Sequence, residues 1–285
     1  MEILPQLIVN GLIAGSVYAL VAIAFNLTFS IGKFFNLALG ALVPVGGYGT
    51  YALYGMGVPL AASIVSGVAL AAAFGGAFEV LVFRRLRARK ASSLVLIIAS
   101  LGIATALQAA IAIFFSSQFQ LLPKILDQPL AIGGAAITAF QLMLIGIAGC
   151  AALCALVLLR ASAFGRAVRA VADDSDVASI VGINVHRIQL IVSAIAGGVM
   201  GLVGILVGFD VGIEPAMGFF YFLSGVVGAI VGGIGMIGAG FFGTLLLGVI
   251  ENGALVFIPG EWKSVISFTV LIAMLLLRPH GLFKK

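Results

Sequence analysis

Very few residues of this 285-residue chain could do acid–base, nucleophilic or metal chemistry. There are two histidines, His186 and His280, two cysteines, Cys150 and Cys154, and ten acidic residues. The sequence has no GxxxxGK[ST] loop, so it offers no nucleotide-phosphate cradle of that kind. It has no HExxH and no Cys/His zinc spacing either. Cys150 and Cys154 lie one helical turn apart in an apolar run and read as small packing residues rather than redox or metal groups. Glu79 precedes Arg84 and Arg85 closely, and Asp210 and Glu214 flank a turn. Glu251, next to Asn252, is the acid set deepest in an apolar stretch. It reads either as a proton site or as a structural acid in an interhelical hydrogen bond. No histidine falls inside an apolar run, so a nucleophile–His–acid site there would have no base.

The elements around these residues follow from composition. Apolar residues make up 62% of the chain and charged residues 9%, against about 25% charged in an average soluble domain. Mean hydropathy is +1.28. So few charges cannot cover a water-soluble fold, which excludes a soluble enzyme, a nucleic-acid binder and a disordered chain. The net charge of +5 is no nucleic-acid footprint, because the basic residues sit in short clusters between apolar runs. A bilayer core needs about 20 helical residues. Charge-free stretches run from Ile3 to Gly32, Phe34 to Phe78, Ala91 to Pro123, Gln128 to Leu159, Ile188 to Phe209 and Pro215 to Ile250. The second is long enough for two helices, broken near Tyr54 to Pro59. The last continues past Glu251 and turns near Gly235 to Gly240. A final helix runs from about Trp262 to Leu277. The expected fold is an all-α polytopic integral membrane protein, one domain over residues 1–285, with about nine transmembrane helices and a range of eight to ten. The Gly-rich segments 36–50 and 225–243 are candidates for broken helices.

Basic residues set the expected orientation. Lys33, the cluster Arg84, Arg85, Arg87, Arg89 and Lys90, then Arg160, Arg166, Arg169 and Arg187, and finally Arg278, Lys284 and Lys285 share one side of a nine-span arrangement. Only Lys124 and Lys263 fall on the other. The positive-inside bias puts the first set in the cytoplasm, with loops at about 83–91 and 160–187, the N-terminus outside and the C-terminus inside. The start lacks a basic n-region, so the first helix reads as retained.

Glycine is abundant, 38 of 285 residues against a usual share of about 7%. The pairs Gly11/Gly15, Gly197/Gly201, Gly204/Gly208 and Gly228/Gly232 have the small-xxx-small spacing of close helix packing. The inner loop from Ala163 to Arg187 has a basic half, an acidic turn and a short apolar helix. Val168, Val171 and Ala172 share a helical face. Asp174 or Ser175 caps a second helix, with Asp176 in its first turn and Gly182 as its stop. From the residues alone this loop is either a docking element for a cytoplasmic partner or an interfacial helix on the bilayer.

Gly165 to Asp174 followed by Ala178 to Gly182 resembles the coupling-loop signature of the LivH-type permease subunits of branched-chain amino-acid ABC importers. Further segments are similar in the same order. They are Gly11 to Leu20, Phe35 to Gly40, Glu79 with Arg85 to Arg87, Leu96 to Gly102 with Gln108, Gly232 to Gly235 with Gly238, Leu247 to Glu251, and Arg278 to Phe283. Two positions depart. Leu39 and Ala41 stand where the family usually has polar or acidic residues, which makes this part of the path less polar.

The resemblance implies half of a translocation pathway in a bacterial inner membrane, without an ATPase site or cofactor of its own. The implied partners are two cytoplasmic ATP-binding subunits that hold ATP–Mg, a second permease (a LivM-like partner or a copy), an external solute-binding protein and membrane lipid, with no nucleic acid. Coupling to the ATPase would fall to Arg166, Arg169, Asp173, Asp174, Asp176, Ala178 and Gly182. The expected path residues are Tyr18, Asn26, Asn36, Gly40, Ser100, Gln108, Glu251 and Asn252. The expected solute is a branched-chain amino acid. The alternatives are urea, a short amide or an aromatic acid, or a stand-alone proton-coupled transporter using Glu251.

Overall fold

The structure is a computed structural model, and it describes residues 3–123, 128–132, 134–233, 235–278 and 281–282. Lys124, His280, Lys284 and Lys285, used above for orientation or chemistry, lie outside the described residues. The chain is an all-α polytopic membrane protein. Its long helices are α1 (Ile3–Gly32), α2 (Ala38–Gly55), α3 (Leu60–Phe78), α5 (Ser93–Phe115), α6 (Ala139–Ala161), α9 (Val185–Asp210), α10 (Met217–Gly232), α11 (Ile237–Ala254) and α12 (Lys263–Leu277). Short helices α4 (Arg84–Ala88), α7 (Ala163–Asp173) and α8 (Ser175–Ile180) complete the set. Among the described residues, five continuous helices are long and apolar enough to cross a bilayer, including the run Leu60–Ala88. The other four long helices have 15 to 18 residues, under the roughly 20 of a simple span. The count of about nine therefore holds for long helices among the described residues, not for full-length spans.

Local chemistry explains the breaks. Lys33 takes a positive φ of 54° and ends α1. Gly57 at φ 86° and Pro59 separate α2 from α3. Gly233 and Gly235, both at positive φ, separate α10 from α11. The Gly-rich segment 225–243 is thus broken, whereas α2 runs unbroken through Pro44.

Two sequence expectations are corrected. The loop at 83–91 is mostly helix. A π turn at Glu79–Phe83 passes straight into α4, and the chain turns only at Lys90. Arginine stems extend a helix past the apolar zone while their heads stay in water, so charge does not mark its end. Cys150 and Cys154 are exposed on α6 rather than packed inside. The loop before α6 carries a small antiparallel ribbon, β1 (Pro129–Ile132) with β2 (Ala135–Thr138). Gln6 completes one edge of it, accepting from Ala136 N–H at 2.7 Å and donating to Ala136 C=O at 3.0 Å.

The chain divides into two compact units: Met1–Asn26 with Pro123–Leu153 and Phe220–Lys285, and Leu27–Leu122 with Cys154–Phe219. In the first, Tyr18, Val227, Val231 and Leu247 form a buried cluster with α12 side chains around it. A Cβ on Gly11 would stand 2.6 Å from the Val249 backbone, and one on Gly248 would overlap Gly11 and Gly15. In the second, α2, α3 and α9 pack on one another. A Cβ on Gly46 would overlap Gly201, and one on Gly197 would come 2.6 Å from the Ala71 carbonyl. Glycine at these positions brings helix backbones into direct contact.

Candidate functional site

The inner loop is built from two capped helices. Ser162 accepts from Gly165 N–H at 2.9 Å and starts α7. Gly165 lies so close to the carbonyls of Leu158 and Leu159 that a Cβ would overlap them. This folds α7 tightly back on the end of α6. Val168 and Val171 are buried on its inner face, and Arg166 and Arg169 are exposed on the other. Asp174 caps α8, accepting from Asp176 N–H at 2.8 Å and Val177 N–H at 3.0 Å. Of the two caps that the sequence allows, Asp174 is the one used. Ala178 is buried at 2% exposure, and Gly182, at φ 87°, closes the helix. Ile183 N–H then bonds to Ala178 C=O at 3.0 Å, and Asn184 caps α9 through Arg187 N–H at 3.0 Å. The chain therefore passes from α8 into α9 without slack. On the outside of α8, Val177, Ile180 and Val181 are exposed, Ile180 at 83%, beside exposed Asp173, Asp174 and Asp176. Exposed apolar side chains next to fixed negative charge make a surface suited to a protein partner.

The expected path residues divide between the units. Tyr18, Asn26, Glu251 and Asn252 belong to the first. There the Tyr18 hydroxyl donates to Glu251 Oε2 at 2.9 Å, and Ser267 donates to the other carboxylate oxygen. Glu251 is fully buried. Asn252 bonds to Gly248 C=O of its own helix at 2.9 Å. Asn26 accepts from Gly235 N–H at 2.9 Å and so pins the α10–α11 turn, while its buried Nδ2 has no partner among the described residues. Asn36, Gly40, Ser100 and Gln108 belong to the second unit. Ser100 Oγ accepts from Leu37 N–H at 3.1 Å, and Asn36 Oδ1 accepts from Ala38 N–H at 3.2 Å, so both fix the start of α2. Gly40 is buried, and its carbonyl lies where a Cβ on Gly218 would be. Gln108 is exposed on α5 and joins none of these groups.

Sequence reasoning misses a polar cluster in the second unit. Glu79, 5% exposed, pairs with Arg87 rather than with Arg84 or Arg85. Arg87 also donates to Gln189 Oε1 at 3.3 Å, and Ser193 Oγ donates to Glu79 Oε2 at 3.4 Å. These four side chains, with Asn36 and Thr28, line a cavity of about 20 Å³, room for one water. Its one sequence signal is an acid in an apolar run upstream of an arginine cluster.

Comparison with known proteins follows the same lines. Residues 7–275 match the family described as branched-chain amino acid transport system / permease component. The chain is 31% identical to the high-affinity branched-chain amino acid transport system permease protein LivH of Escherichia coli (strain K12), covering 97% of this chain and 94% of that protein. It is likewise 31% identical to the corresponding permease protein BraD of Pseudomonas aeruginosa, with the same coverage. Among solved structures, PsaBC from Streptococcus pneumoniae in complex with Fab is similar in fold, with a TM-score of 0.52 over 95% of this chain and 91% of that one at 11% identity.

Proposed function

The chain belongs to the family of permease components of branched-chain amino acid transport systems, and from that premise we propose how it works within an ATP-binding-cassette importer. It is a transmembrane permease subunit of such an importer. The solute is a branched-chain amino acid or a related small solute, handed over by an external binding protein. Two cytoplasmic ATP-binding subunits, which hold the ATP–Mg, and a second permease complete the assembly. The chain lies in a bacterial inner membrane with its N-terminus outside and its C-terminus in the cytoplasm, the orientation that the basic clusters favour.

One observation carries the mechanism: α8 presents Val177, Ile180 and Val181 to solvent beside three aspartates, on a loop joined to α9 without slack. In this reading α8 docks on an ATP-binding subunit. Closure of the ATPase pair moves α7 and α8, and α9 carries the displacement into the spans. The two end states differ in contacts, which is what lets ATP bias one over the other. Residues Tyr18, Asn26, Asn36, Gly40, Ser100, Glu251 and Asn252 border or support the path, and exposed Gln108 is its weakest member. The binding protein sets selectivity, and the permease needs only shallow binding so that release is fast.

The test is a mild-detergent pull-down of the tagged chain from its native cells, with mass spectrometry of what accompanies it. Two ATP-binding subunits and a second permease, lost when residues 173–182 are scrambled, support the reading. A folded chain that comes down alone at full yield overturns it and turns attention to Glu251 as the coupling group of a stand-alone transporter.

A further inference from the structure

Between α3 and α9, contact is made mostly by backbone and small residues. A Cβ on Gly197 would come 2.6 Å from Ala71 C=O, and one on Gly75 would come 3.1 Å from the Gly197 Cα. Such a seam packs closely but has no directional bond to fix its register. The bond that does so lies at one end. Glu79, Arg87, Gln189 and Ser193 form a closed ring: Arg87 bridges Glu79 and Gln189, Ser193 returns to Glu79, and Gln189 and Ser193 stand one turn apart on α9.

The ring depends on the π turn. In a regular α-helix a residue eight places on lies about 80° round from its start, and one seven places on lies about 20° from it. A π turn holds one extra residue. The turn at Glu79–Phe83 therefore brings Arg87 round to the face of Glu79. Helical side chains lean toward the N-terminus, so Arg87 reaches back to Glu79 and sideways to α9. Gln189 is one turn into α9, just after the Asn184 cap that receives the chain from α8. Any displacement of α8 reaches this ring before it reaches the glycine seam.

We propose that Glu79 and Arg87, through Gln189 and Ser193, form the clasp that sets the register of α9 against the helix from Leu60 to Ala88, and so couple movement of the α7–α8 loop to the spans. They are positioning residues for transport. The clasp offers two states. In one, the Gln189 and Ser193 bonds hold α9 at its present level. In the other, those bonds open while the Glu79–Arg87 pair stays closed, so no bare charge is left behind. This inference rests on the loop being the docking element described above.

The experiment uses the assembled importer in nanodiscs, with ATP hydrolysis and solute uptake measured on the same preparation. Gln189→Ala and Ser193→Ala, together, leave the ion pair intact and untie α9. The expected result is assembled complex with ATP hydrolysis near wild type and uptake per ATP lower by about ten-fold, the usual range of a coupling between sites. A merely structural role would lower assembly, hydrolysis and uptake together, and that outcome overturns the clasp. Unchanged uptake per ATP in the intact Gln189/Ser193 variant also overturns the clasp and leaves the docking reading standing. Failure of wild type to assemble with any ATP-binding subunit overturns both.

Discussion

Tyr18 and Glu251 meet side chain to side chain at 2.9 Å, 233 residues apart in the chain. With Ser267 on the other carboxylate oxygen, both oxygens of a fully buried acid have a hydroxyl donor. Glu251→Ala leaves the Tyr18 hydroxyl without its acceptor, while Ser267 keeps the Lys263 carbonyl at 3.0 Å, and should cost about 1–3 kcal/mol for the hydroxyl left unpaired. Glu251→Gln keeps an acceptor and should cost less. Thermal unfolding in detergent, followed by size-exclusion profile, separates the two. ATP-driven uptake should persist in the Gln variant, whereas loss of uptake with wild-type folding would mean that the carboxylate itself takes part in transport.

Asp174 caps α8 through two backbone N–H groups. Asp174→Ala should destabilise the loop by about 1 kcal/mol, the worth of a cap. Asp174→Asn keeps the cap and removes the charge. If charge is what docks the ATPase, reversing Asp173, Asp174 and Asp176 should abolish ATP-driven uptake while leaving insertion and melting of the spans unchanged. Normal uptake by the triple reversal would sink the docking reading.

Gly46 and Gly204 are closed to any side chain: a Cβ would overlap Gly201 at the first and the Val43 carbonyl at the second. Alanine at either should destabilise by about 1–3 kcal/mol or more, the cost of overpacking a core. Gly146 on α6 has nothing within 4 Å of a Cβ. Gly146→Ala should be neutral or slightly stabilising, since glycine inside a helix is worse than alanine by up to about 1 kcal/mol. The same melting assay compares all three.

Asn36→Ala removes the acceptor for Ala38 N–H at the start of α2. Asn252→Ala removes only a bond within α11. If the path reading holds, Asn36→Ala should slow uptake well beyond its effect on melting. Unchanged uptake kinetics in both variants, with the protein folded, would retire these residues from the path.

Much of the local architecture is legible in the residues themselves. Two glycines and a proline mark the break at Tyr54 to Pro59. Asp174, standing just ahead of Asp176 and the short apolar run, marks the α8 cap, with Gly182 as its stop. The four glycine pairs face other backbones or close side chains in their own unit, as Gly208 faces Leu122. What stays hidden has a common cause. Helical spacing predicts faces only while the turn stays regular, so the π turn conceals the Glu79–Arg87 pair. Gln189, 102 residues from Arg87, has no local signal at all. The faces of α6 are equally hidden, because a helix apolar all round has no stripe to show which side packs. For the same reason the sequence points Cys150 and Cys154 inward when both are exposed.

The glycine seams also bear on the thermodynamics of assembly within the bilayer. A seam of leucines would freeze side-chain rotamers as the helices come together, at about 0.5–1 kcal/mol each. Glycine has no rotamers to lose, and its backbone freedom is already spent when each helix forms. Where Gly46 meets Gly201 and Gly11 meets Gly248, docking of one finished helix on another is therefore nearly free of side-chain entropy cost. The packing step in these units should be correspondingly insensitive to temperature, with most of the ordering cost confined to insertion of the individual helices.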